Sequence, residues 1–129
     1  MIRTFTIKDY DKVIDLWKKT PGVGLRSMDI KREGMLWFFV RNPNSNFVTV
    51  NQDKIIGAVL SGHDGRRGDI YHICVEKVHR QKSIGRQLMK YVTDAMKEEK
   101  ITKLALVRFT KNGLENDFRE PWDGRYGLI

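Results

Sequence analysis

Between Asp69 and Met89 the chain reads DIYHICVEKVHRQKSIGRQLM, an apolar strand signal that runs through a basic turn of small residues straight into an amphipathic helix. The N–H groups of the first helical turn have no intrahelical partners, and the helix dipole adds positive potential at the same point. His79, Arg80, Lys82 and Arg86 surround that turn with basic side chains. Such an arrangement builds an anion site, and a diphosphate fits its size.

The rest of the chain supplies a sheet and its covering helices. Met1 to Thr6 alternates as a short first strand would, and Thr6-Ile-Lys-Asp9 resembles a capping box ahead of Tyr10, Val13, Ile14 and Trp17 at helical spacing. Thr20-Pro-Gly-Val-Gly24 ends that helix. A second helix is expected from about Asp29 to Val40, closed by Asn42-Pro43. Asn46 to Asn51 and Lys54 to Gly62 read as a hairpin around Gln52-Asp53, a turn without its usual glycine. A glycine-rich turn over 62–68 leads to the strand Asp69–Val75, and Ser83 to about Glu99 carries one apolar stripe through Ile84, Leu88, Val92 and Met96. Ile101 to Phe109 is a further strand, parallel to its predecessor because a helix intervenes. Asn112 to Glu120 begins like a last short helix before Pro121. The expected class is α+β: a mixed, mostly antiparallel central sheet flanked by helices.

At 129 residues with 40% hydrophobic side chains, the chain has the size of one domain, residues 1–129. No run approaches the roughly 20 apolar residues of a membrane span, and the N-terminal stretch MIRTFTIKDYDK lacks the apolar segment of a secretory signal, so a cytoplasmic protein away from membranes is expected. Cys74 is the single cysteine and has no partner for an internal disulfide. A formal charge of +8 admits two acidic partners, a phosphate-bearing cofactor or nucleic acid. The basic residues are spread over Lys8, Lys12, Lys18, Lys19, Lys31 and Arg32, and the aromatics are not interleaved with them. With no helix-turn-helix or RNA-recognition signature, nucleic acid is the weaker reading.

Arg80-Gln81-Lys82-Ser83-Ile84-Gly85 resembles the Arg/Gln-x-x-Gly-x-Gly/Ala signature of the GCN5-related N-acetyltransferase (GNAT) family, with the apolar strand ending in Val75 just upstream. Element order matches the family along nearly the whole chain, and the overall look is similar to small bacterial members related to ribosomal-protein alanine acetyltransferases. The resemblance implies a three-layer, GNAT-like acyl-CoA N-acyltransferase fold, acetyl-CoA as co-substrate and an amine as acceptor. It implies fourth and fifth strands that splay apart, with the pantetheine arm on Ile73, Cys74 and Val75, the diphosphate among Arg80, Gln81, Lys82, Ser83, Ile84, Gly85 and Arg86, and an oxyanion donor at a backbone N–H near Val75. The loop between the first two helices becomes a wall for the acceptor.

Three departures stand inside the pattern. Ser83 replaces the first glycine: a backbone that needs positive φ there is strained, whereas one that needs only a free N–H and a small side chain accepts serine, which can then cap the helix. Asn112 and Phe118 align with a downstream family motif, but Arg119 stands where the family has a tyrosine that acts as general acid. Arg125 to Ile129 leaves room for one strand where the family commonly has two, so either a second subunit completes the sheet, making a homodimer, or the C-terminal end is altered with loss of activity. A catalytically weak CoA-binding module is therefore the alternative to an enzyme.

Acid and base candidates come from elsewhere. Tyr71 and His72 are successive strand residues, expected on opposite faces, and His72 has the pKa range suited to accepting an ammonium proton. Glu76 could act through a water, and Tyr126 could supply the missing hydroxyl. His63, Asp64, His72 and Cys74 do not have the spacing of a closed zinc set, and no metal is expected. Cys74 on an apolar strand reads as a buried thiol, not a nucleophile.

Overall fold

Strand β3 (Lys54–His63) is buried from Ile55 to Gly62, which requires cover on both faces and makes it the middle of the molecule. The computed structural model describes residues 1–19, 31–79, 82–110 and 113–117, with 106–110 and 113–117 described by their backbone alone. The element order is β1 (Ile2–Thr4), α1 (Tyr10–Lys18), α2 (Arg32–Arg41), β2 (Phe47–Asn51), β3, β4 (Gly68–Val75), α3 (Ile84–Glu98), β5 (Leu104–Thr110) and β6 (Gly113–Asp117). Among the described residues six strands form one sheet in chain order, antiparallel throughout except where β4 meets β5.

Each face of the sheet has its own core. Helices α1 and α2 bury Val13, Leu16, Trp17 and Met35 against Phe5, Val48, Ala58, Leu60 and Cys74. Helix α3 buries Leu88, Met89, Val92 and Met96 against Val59, Ile70 and Leu104. The expected three layers follow from strand alternation, since Ala58 and Leu60 point to one side and Val59 to the other. Gly57 lets α3 approach: a Cβ there would lie 3.3 Å from both Ile84 Cγ2 and Leu88 Cδ1.

Local chemistry sets the ends of these elements. Asp9 closes the capping box on Thr6: its carboxylate accepts the Thr6 N–H at 3.0 Å and takes both Arg3 guanidinium nitrogens at 2.8 Å. This fastens β1 to the 3₁₀ turn over Ile7–Asp9 that leads into α1. Gln52 and Asp53 both adopt left-handed backbone (φ 51° and 62°), the type I′ hairpin geometry that glycine and asparagine usually serve. At the end of α2, Asn42 receives the His63 N–H and Asn46 receives the Ser61 N–H at 2.7 Å, tying that helix terminus to β3. Helix α3 ends in left-handed Lys100, with the Ile101 N–H returned to the Met96 carbonyl at 2.8 Å.

One element differs in kind from expectation. Of the stretch 112–120 expected to begin as a helix, the described part, Gly113–Asp117, is strand β6, paired antiparallel with β5 from Thr110↔Gly113 to Leu106↔Asp117. Leu114 is the one apolar residue between 111 and 117, so a helix there has no stripe to bury, whereas a hairpin strand needs only backbone pairing. Residues 29–30 of the second helix, the 20–24 turn and the expected strand Arg125–Ile129 lie outside the described residues. Among the described residues no helix is long and apolar enough to cross a membrane.

Candidate functional site

The parallel ladder between β4 and β5 is short. It runs Gly68↔Leu104, Asp69↔Ala105 and Ile70↔Leu106, and ends there although the strands continue to Val75 and Thr110. On its other edge β4 is paired with β3 all the way to Gly57↔Val75. Parallel strands that part company leave a wedge between them, and the residues on its β4 wall are Tyr71 to Val75. Ile73 and Val75 send their side chains into the α3 core and Cys74 goes to the α1 and α2 core, so a ligand in the wedge meets β4 through its backbone.

At the mouth of the wedge stands the start of α3. Its first N–H groups, those of Ile84, Gly85 and Arg86, precede the first bonded one, Gln87 N–H to Ser83 O at 3.0 Å. Ser83 is left-handed, with φ 64° and ψ 15°, and its hydroxyl makes no capping bond. Of the two readings of Ser83, strain is the correct one and capping is not: an N-cap that captures backbone N–H groups uses extended backbone, which this residue lacks. Gly85 is different. Among the described residues a Cβ built on it would meet nothing nearer than Val75 Cγ2 at 3.9 Å, which leaves room there for a side chain. Lys82 and Arg86 are exposed beside it, Lys77 and half-exposed His79 lie just upstream, and none of Lys77, Lys82 and Arg86 is in an ion pair among the described residues. This cradle of backbone N–H groups, positive charge and open space over Gly85 fits a diphosphate. Arg80 and Gln81 lie outside the described residues, as do Asn112, Phe118, Arg119 and Tyr126.

Tyr71 and His72 do not lie on opposite faces. The pairing of β3 with β4 slips from Leu60↔His72 to Ser61↔Ile70, which leaves Tyr71 as an extra residue in a β-bulge. Ile70 on one side of the bulge and Ile73 on the other both belong to the α3 face, so alternation has lost a step between them. As a result the Tyr71 ring meets Phe38 of α2 edge-on at 5.7 Å, and the His72 ring lies 4.7 Å from buried Trp17 of α1. Both side chains thus share the α1 and α2 face, at the point where the β4–β5 ladder ends. The three-residue spacing of Ile70 and Ile73 is the signal that strict alternation fails here.

Glu76 is placed apart from them. Four residues beyond His72, it is roughly 13 Å further along at strand rise. Its carboxylate pairs with Lys54 Nζ at 3.1 Å, and its N–H donates to the Ile56 carbonyl at 2.7 Å. With Lys12, Asp15, Leu16, Lys19, Asp53 and Ile55 it lines a depression of about 260 Å³ under the end of α1. The bulge therefore unites His72 and Tyr71, and it leaves Glu76 out. Cys74 is buried in the α1 and α2 core. His63 faces Glu99 at 3.2 Å through Nε2 and accepts the Gly65 N–H through Nδ1, on a different part of the surface. Trp17 of α1 and Phe38 of α2 are the rings against which His72 and Tyr71 lie.

A mixed sheet whose parallel pair splits beside a basic helix start defines an acyl-CoA transferase type of fold, and comparison with known proteins agrees. The model of the acetyltransferase (GNAT) family matches residues 10–115, and the chain belongs to that family. Acetyltransferase plu1384 of Photorhabdus laumondii is 29% identical over 92 residues, 68% of this chain and 60% of that protein. Acetyltransferase ECA0875 of Pectobacterium atrosepticum is 30% identical over 91 residues, 68% of this chain and 61% of that protein. The chain thus spans about three fifths of the length of these curated relatives. Among solved structures, Ard1 from Thermoplasma volcanium superposes with a TM-score of 0.72 at 18% identity, covering 87% of this chain and 73% of that one. The PaiA N-acetyltransferase from Thermoplasma acidophilum, in complex with coenzyme A, gives 0.71 at 19% identity, covering 87% and 80%. At these identities the structures speak for the fold.

Proposed function

We propose that this chain is an N-acetyltransferase that moves an acetyl group from acetyl-CoA to a primary amine of a small molecule or protein N-terminus by direct attack. The observation that carries the reading is the open cradle over Gly85 at the start of α3, set against the wedge where β4 leaves β5. The N–H groups of Ile84, Gly85 and Arg86, with Lys82 and the Arg86 side chain, would hold the diphosphate, and the backbone of Ile73, Cys74 and Val75 the pantetheine arm. Acetyl-CoA supplies the activated acyl thioester. His72, beside Trp17, is the residue in place to take the proton from an incoming ammonium and leave a neutral amine, and Tyr71 with Phe38 forms an aromatic wall next to it. Glu76, paired with Lys54, has a poorer position and a weaker claim to that role.

Titration calorimetry with acetyl-CoA, followed by a thiol-release assay over a panel of amines, tests the proposal. One cofactor per chain is expected. Gly85→Val should keep its melting temperature and lose binding, because its new methyl groups occupy space that the protein leaves open. His72→Ala should keep acetyl-CoA binding and lose roughly 10²-fold or more in turnover. Undiminished affinity in folded Gly85→Val would remove the site, and undiminished turnover in His72→Ala would remove the base. Binding with no turnover for any amine would favour a CoA-binding module instead, the reading that Arg119 in the tyrosine's place supports.

A further inference from the structure

Helix α2 is apolar on its outer side as well as its inner one. Met35 is buried and Phe38 and Phe39 pack against the same core, whereas Leu36 is 48% exposed, Trp37 62% and Val40 65%. At 100° per residue these three occupy one arc facing away from the sheet, and that arc also holds exposed Glu33 in the first turn and exposed Arg41 in the last. Three large apolar side chains on so short a helix form a patch of the kind that marks an interaction surface.

The order of residues on the arc says what covers it. Glu33 and Arg41 stand four residues on either side of Trp37, so a two-fold axis through Trp37 sets two copies of α2 antiparallel. In that arrangement Glu33 of each copy faces Arg41 of the other, Trp37 packs on Trp37, and Leu36 and Val40 close over the centre. The helix dipoles oppose head to tail, and each charge suits the terminus of the helix that carries it. A parallel arrangement would set Glu33 on Glu33 and Arg41 on Arg41. An arc whose charges complement themselves only under a two-fold axis is the signature of an isologous contact.

We infer that α2 is a homodimer interface, formed by antiparallel packing of the Glu33, Leu36, Trp37, Val40 and Arg41 face on its own copy. It differs from a dimer made by joining sheet edges, and it does not depend on the catalytic reading. A ten-residue helix is about 15 Å long, so the contact is at the small end of specific interfaces and its affinity is correspondingly modest.

Sedimentation velocity over a wide concentration range tests this, with thermal unfolding as a check that each variant is folded. The native chain should pass from one to two chains per particle as concentration rises. Trp37→Glu should stay monomeric, and Glu33→Arg should weaken dimerisation at least roughly tenfold by setting like charges together. Combining Glu33→Arg with Arg41→Glu should restore it, since the swap rebuilds both pairs in reverse. A chain that is monomeric at every concentration, a dimer indifferent to Trp37→Glu, or a double variant as weak as Glu33→Arg would each overturn the inference.

Discussion

At residue scale the sharpest departure from regular geometry is Ser83. A left-handed serine costs about 1–2 kcal/mol relative to glycine, less what glycine loses by its freedom in the unfolded chain. The GNAT signature has glycine at this place, and the φ of 64° supplies the physical reason: the chain must turn left-handed to aim the α3 N–H groups outward. Ser83→Gly should therefore raise stability by about 1 kcal/mol in denaturant unfolding. It should also tighten acetyl-CoA binding or leave it unchanged, since the N–H groups keep their aim. A destabilised Ser83→Gly variant would mean that the hydroxyl contributes more to the turn than strain removes. The strain itself could not be read from the sequence. Whether a loop residue needs positive φ depends on where the next helix must start, which is a tertiary matter.

At the scale of elements, most of the fold was legible. Continuous apolar runs marked β3 and β4, helical spacing marked α1 and α3, and Thr6 with Asp9 marked the start of the first helix. Legibility failed where pairing, not burial, decides: β6 has a single apolar residue and owes its form to β5, and the bulge at Tyr71 is a register effect of β3 against β4. The bulge matters most for the site, because it turns Tyr71 and His72 from opposite neighbours into companions on one face. The capping carboxylate gives the testable case of an element boundary. Bonds from the Arg3 side chain, ahead of the Thr6 N–H, hold the Asp9 pKa below the usual aspartate value, about 3.9. A pKa depressed in the folded state adds stability that is present above the unfolded value and disappears as pH falls through the folded one. Asp9→Asn should thus cost about 1–2 kcal/mol at pH 7. The gap between it and the native chain should close as pH drops below about 4. A gap that persists in acid would show that the loss comes from packing and not from the charged bonds to Arg3.

For the whole molecule the question is what a formal charge of +8 is for. Lys8, Lys12, Lys18, Lys19, Lys31 and Arg32 are all exposed and distributed over α1 and the start of α2, with Arg32 lying over the Tyr10 ring at 5.8 Å and Lys12 and Lys19 over the depression beside Glu76. Lys77, Lys82 and Arg86, by contrast, are exposed on the turn before α3 and on its first turn. A small polyanion bound there feels two or three cations at close range and the rest only through screened potential, since the Debye length is about 10 Å at 0.1 M salt. Raising salt from about 50 to 200 mM should therefore weaken acetyl-CoA binding by roughly four- to tenfold, far short of the 10³–10⁵ lost by proteins that neutralise a run of phosphates. Lys82→Ala and Arg86→Ala should lower both the affinity and its salt dependence, and Lys12→Ala should change neither. Calorimetry at the two salt concentrations separates the cases. Equal sensitivity to all three substitutions would mean that the ligand responds to net charge instead of to the turn, and the assignment of the anion site to the first turn of α3 would fail with it.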